Sequence, residues 1–171
     1  MKYIFIKKNY LIILALFSTL SFVAQDKHYQ YQPITMDFTI ESTSETASEN
    51  PFLDYKLKVE FQNGDKMFSV PGYYAADGNA AESSAAEGGV WRVNFTPNKP
   101  GAWSYKVHFK SGKNIAVSED KYFGKEIDKH HGKTGTIQVL SVKADAEHFS
   151  KRGRLQHHES GYFHTENGKP I

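Results

Sequence analysis

The chain has 171 residues, with 21 lysines and arginines against 19 aspartates and glutamates, 14% aromatic residues and no cysteine. Without cysteine there is no disulfide framework, so the fold must rest on its hydrophobic core, to which aromatic side chains bring a large apolar area. No basic block offers a surface for nucleic acid or an anionic membrane.

At the N-terminus, Lys2, Lys7 and Lys8 precede the uncharged ten-residue run Leu11–Leu20, and Ser21-Phe22-Val23-Ala24 leads into polar Gln25-Asp26-Lys27. A positive start, a short apolar stretch and a small residue before a polar segment make a secretory signal peptide over residues 1–24, cleaved after Ala24. The run is too short to cross a bilayer, which takes about 20 apolar residues. No cysteine follows it, so no lipid anchor is expected. Cleavage removes three lysines and no acid. It leaves 147 residues carrying 18 of the 21 basic side chains against 19 acids, a net charge of −1 with histidine neutral. The mature chain is expected to be periplasmic or extracellular, free of the membrane, and long enough for one domain.

Period-two alternation then recurs along the chain. Met36, Phe38 and Ile40 alternate with polar residues, as do Tyr55, Leu57, Val59 and Phe61. Met67–Val70 follows the turn Asn63-Gly64-Asp65. Trp91, Val93 and Phe95 alternate with Arg92 and Asn94; Trp103, Tyr105, Val107 and Phe109 alternate with Ser104, Lys106 and His108. Each pattern is that of a half-buried strand with one wet face. Pro97-Asn98-Lys99-Pro100-Gly101 reads as the turn of a hairpin between the two tryptophan strands, and Ser111-Gly112-Lys113-Asn114 closes the second. The polar stretches Glu41–Asn50 and Asn79–Gly88 read as loops, the second as a mobile one. No crossover helix is available for parallel βαβ units. The expected fold is all-β: an immunoglobulin-like antiparallel β-sandwich over residues 28–125.

Composition shifts after Phe123. Residues 126–171 read as a linker and the start of a following domain, less ordered than the sandwich. They hold a short strand at Thr136–Val142, room for a helical turn in Ala144–Arg154, and a hairpin centred on Glu166-Asn167-Gly168. The returning arm of that hairpin would be Lys169-Pro170-Ile171, so the sequence is expected to be truncated within the next domain. Ile137, Val139, Leu140, Tyr162 and Phe163 have no evident strand partners in the sandwich.

Residues that could carry chemistry are few. Trp91, Phe95, Trp103 and Tyr105 lie in phase with the buried faces and are assigned to the core. Tyr73 and Tyr74, after Pro71-Gly72 and with Asp77 close behind, stand outside any alternation and are the candidate ligand-binding residues. At most one of the two rings can point inward, and an exposed loop aromatic can stack on a sugar ring. His130-His131, His157-His158 and His164 lie near Asp128 and Glu159 but lack metal-ligand spacing, so neither metal nor cofactor is expected. The acid pairs Glu41 with Glu45 and Glu119 with Asp120 sit in polar loops with no apolar wall to separate their pKa values, and no nucleophile elbow or phosphate-binding loop is present. No catalytic residue is assigned.

Several segments together resemble a known family. They are Asn50-Pro51-Phe52, Gly72-Tyr73-Tyr74 followed by Asp77-Gly78, the run Trp91–Pro97 with Pro100–Tyr105, and Gly161-Tyr162-Phe163 with Asn167–Pro170. The series resembles the domain of unknown function 5060, an immunoglobulin-like sandwich that precedes an apiosidase-like (β/α)8 barrel in bacterial glycoside hydrolases. The resemblance covers residues 29–124 as sandwich and 131–171 as the entry to the barrel. The Asn79–Gly88 loop departs from the family in being longer. The family's catalytic carboxylates lie on barrel strands, and none transfers to this chain. What the resemblance implies is a non-catalytic accessory domain of a secreted polysaccharide-degrading enzyme, with a barrel as partner and polysaccharide as ligand. The alternative is a stand-alone carbohydrate-binding or adhesion module.

Overall fold

The computed structural model describes residues 27–142, 153–157, 159, 161–166 and 168. The expected signal peptide, most of Ala144–Arg154 and the arm Lys169–Ile171 lie outside the described residues. The strands are β1 (His28–Tyr29), β2 (Ile34–Ser44), β3 (Tyr55–Asn63), β4 (Lys66–Pro71), β5 (Tyr73–Tyr74), β6 (Glu87–Phe95), β7 (Gly101–Ser111), β8 (Lys125–Glu126), β9 (Thr134–Leu140), β10 (Leu155–His157) and β11 (Phe163–Thr165). One helical turn, Ala80–Ser83, precedes β6, and a 3-10 turn, Ile115–Val117, follows β7.

The alternating residues do what their period dictates, burying one face of each strand. Two sheets result. One has the order β1-β9-β7-β3-β4, with β8 also on β7; the other has the order β2-β6-β5. All pairings are antiparallel except the short parallel contact of β1 with β9. The inner faces meet in an aromatic core. Phe61 of β3 stacks on Phe95 of β6 at 4.0 Å, Phe95 meets Trp103 of β7 edge-on at 5.0 Å, and Trp91 of β6 meets Phe109 of β7 at 5.3 Å. Trp91, Phe95 and Trp103 are buried as expected, whereas Tyr105 is half-buried against the core. The fold is an all-β sandwich.

Four expectations change. First, Pro97–Gly101 is not a hairpin turn: β6 and β7 lie in different sheets, so the segment crosses from one to the other. Period two fixes which face is buried, not which strand is the neighbour. Second, β2 continues through Ser44, where Thr43 and Ser44 pair with Gly88 and Glu87 past an irregularity in register. Backbone pairing beyond the core needs no apolar side chain, so this polar end left no mark in the pattern.

Third, Ile137 and Val139 do have partners. β9 pairs with β7, placing Ile137 opposite Trp103 and Val139 opposite Gly101, and both side chains are buried. The sandwich therefore extends beyond residue 125 to Leu140. Fourth, Phe163–Thr165 pairs with Leu155–His157, upstream of it, where no strand was expected; the expected arm after Gly168 lies outside the described residues. Tyr162 and Phe163 are exposed. This hairpin touches the sandwich through Tyr31, whose hydroxyl donates to Glu166 Oε2 at 2.6 Å, and through the Arg154 guanidinium, 5.7 Å from the Phe68 ring centre.

Candidate ligand-binding cleft

At Pro71-Gly72 the chain leaves β4 of the larger sheet and enters β5 of the smaller one. The switch is tight. The Gly72 N–H donates to Leu57 O at 2.8 Å, and a Cβ on Gly72 would lie 2.4 Å from Leu57 Cδ2. This passage opens a cleft of about 280 Å³ between the sheet edges, lined by Pro51, Phe52, Tyr55, Tyr73, Tyr74 and Trp91 among others.

The opposite lip is built by a second tight turn. Asn50 Oδ1 accepts the Phe52 N–H at 2.8 Å, and Asn50 O accepts the N–H groups of Leu53 and Asp54. Asp54 staples the turn to the loop after β7. Its buried carboxylate accepts the Asn50 N–H at 3.0 Å and the Asn114 N–H at 2.8 Å, with Lys113 Nζ at 3.3 Å. The backbone bond from Asn114, then those from Asn50 and Lys113, holds its pKa below the usual carboxylate range against the opposing effect of burial. The turn buries Pro51 and leaves Phe52 54% exposed.

The three candidate ligand residues have separate fates. Tyr73 is 47% exposed and lines the cleft; its hydroxyl accepts from Asn94 Nδ2 at 3.2 Å. Tyr74 faces the core at 8% exposure. Its hydroxyl donates to the carbonyls of Thr43 (2.7 Å) and Gly88 (3.1 Å), and burial raises its pKa. It is a packing residue, edge-on to Phe52 at 5.9 Å, and presents no free face for stacking. Asp77 accepts from the Ser83 hydroxyl at 2.6 Å and the Asn79 N–H at 2.8 Å, and those bonds lower its pKa. It organises the helical turn Ala80–Ser83 and does not line the cleft.

The floor of the cleft holds a feature that alternation could not show. Trp103 Nε1 donates to Lys99 O at 2.9 Å, but Trp91 Nε1, on a side chain only 2% exposed, has no partner among the described residues. A buried donor left unpaired costs about 1–3 kcal/mol and calls for a reason. At the rim, Lys56 Nζ donates to Ser118 O at 2.6 Å and Lys58 Nζ pairs with Glu60 at 2.8 Å.

Elsewhere the charged groups serve the sheets. Arg92 forms a two-pronged pair with Asp37 across β6 and β2, at 2.7 and 2.8 Å, which lowers the Asp37 pKa. His130 and His131 diverge. His130 reaches Thr39 O on the smaller sheet, while His131 lies 3.3 Å from Glu126 and beside Phe109 O. His108 lies 3.2 Å from Glu60, and burial pushes its pKa below the usual value despite that carboxylate. Among the described residues no three metal-ligating side chains cluster.

The comparisons with known proteins agree with this architecture. No curated protein matches the chain. The fold is similar to a crystal structure of a protein described as a putative glycoside hydrolase from Bacteroides vulgatus ATCC 8482, with a TM-score of 0.57 and 20% sequence identity. That match covers 86% of this chain and 21% of the other, so the chain spans about a fifth of that protein's length. The family model for the Domain of unknown function (DUF5060) matches residues 27–110, and that segment belongs to this family.

Proposed function

We propose that the chain is an exported, non-catalytic accessory sandwich of a glycoside hydrolase acting in polysaccharide degradation. The observation that carries this reading is the partial overlap with the Bacteroides vulgatus protein. Most of this chain overlays a small part of a much longer protein described as a glycoside hydrolase, leaving ample chain there for chemistry. The carboxylates in hand support the same reading. Asp37, Asp54, Glu60 and Asp77 are each bonded to a neighbour in the sandwich and held below the usual range, whereas a general acid needs a raised pKa. Residues beyond the sandwich lead, on this reading, into a catalytic barrel.

Two measurements test it. N-terminal sequencing of the exported protein should begin at Gln25. Pure protein incubated with neutral and acidic polysaccharides should release no reducing ends. Turnover abolished by a single Asp or Glu substitution would refute the accessory role.

A further inference from the structure

We infer that the cleft between Phe52 and Tyr73 is a subsite for one uncharged pyranose unit of a polysaccharide, with the Trp91 indole N–H as its buried donor. The inference rests on the accessory reading for its ligand class and on the cleft for its chemistry.

Three observations carry it. Phe52 and Tyr73 are exposed aromatics that line one small cleft. Sugar rings present apolar C–H faces that pack on such rings, while their hydroxyls seek hydrogen bonds. Trp91 lines the same cleft, is buried, and carries a donor that nothing among the described residues satisfies. A hydroxyl or ring oxygen would satisfy it. The volume, about 280 Å³, lies just below the usual range for drug-sized ligands, which suits one ring rather than several.

The surroundings narrow the ligand further. Both rim lysines are engaged, Lys56 with a backbone carbonyl and Lys58 with Glu60. The Glu60 carboxylate offsets the Lys58 charge and Lys56 is held on the Ser118 carbonyl, so neither is free to clamp a uronate carboxylate, and stacking with the indole donor is enough to hold an uncharged sugar. A peptide strand fits poorly. β5 is only two residues long, and β4 ends on Pro71, which has no N–H to template a new strand.

The framework places these groups on fixed elements. Tyr73 follows the close Gly72–Leu57 crossing, and Phe52 sits in a turn held by Asn50 and Asp54. Little ordering is left for the protein to do on binding, which favours affinity.

The test is a titration of the exported chain with cellotetraose, mannotetraose and xylotetraose, with tetragalacturonate as charged control. Tryptophan fluorescence reads it directly. Of the two tryptophans, Trp103 is fully enclosed and already paired, so the response reports on Trp91. At least one neutral tetrasaccharide should give a saturable shift, with a midpoint that holds between about 0.1 and 1 M salt. Tyr73→Ala should weaken binding about tenfold without moving the melting midpoint. Trp91→Phe, read by calorimetry, should weaken it comparably by removing the donor while keeping a ring. Tyr122→Ala, an exposed aromatic outside the cleft, should change nothing. No saturable response to any neutral sugar, a response that survives Tyr73→Ala, or a salt-sensitive preference for tetragalacturonate would each overturn the inference. Failure to bind leaves the accessory role standing; hydrolysis by the chain removes that role instead.

Discussion

Trp103 and Tyr73 mark the two extremes of what an aromatic residue does in this protein. Trp103 is enclosed between the sheets with its N–H bonded, so Trp103→Ala should destabilise by about 3–5 kcal/mol in a denaturant melt. Tyr73→Ala, at an exposed edge, should stay within about 0.5 kcal/mol. Gly72→Ala drives a methyl into the buried Leu57 side chain and should cost about 1–3 kcal/mol. Asp54 makes a pH prediction. Its folded pKa is depressed, so its contribution is present above the ordinary carboxylate range and lost as pH falls through the folded value. Asp54→Asn should therefore lower stability at neutral pH and flatten the acid limb of a stability–pH curve. An unchanged acid limb would show that the staple does not hold.

Sequence pattern reached some of these residues and not others. The two-sided fate of Tyr73-Tyr74 followed from adjacency on an extended chain, and the core tryptophans from their phase. Phe52, Asp54 and the unpaired Trp91 N–H were out of reach. Asp54 acts through Asn114, sixty residues on, and a missing partner becomes visible only when every neighbour is in place.

At the level of elements, β9 is the test of where the sandwich ends. It covers one side of β7 and buries Ile137 and Val139, so it should exchange its amide protons as slowly as β7. Fast exchange across residues 134–140 beside a protected β7 would restore the boundary at residue 125. β10 and β11 are three residues each, pair with each other and leave Leu155 and Phe163 exposed, and they should exchange faster. Alternation revealed β9 as a strand but not its neighbour, because long-range pairing leaves no local trace. The same limit turned the Pro97–Gly101 crossing into an apparent hairpin and hid the polar end of β2.

As a whole, the described residues form a two-sheet sandwich in which Asp37, Asp54, Glu60 and Asp77 bind neighbours within the fold, and in which an aromatic cleft opens at the strand switch. On the function proposed above, such a body holds a sugar chain beside a catalytic neighbour without cutting it. Native electrophoresis of the exported chain through gels cast with neutral polysaccharides tests that division of labour most directly. The band should be slowed by at least one polysaccharide, released by its free oligosaccharide, and leave the polymer beneath it intact. A cleared zone that follows the band and vanishes with one Asp or Glu substitution would contradict the account.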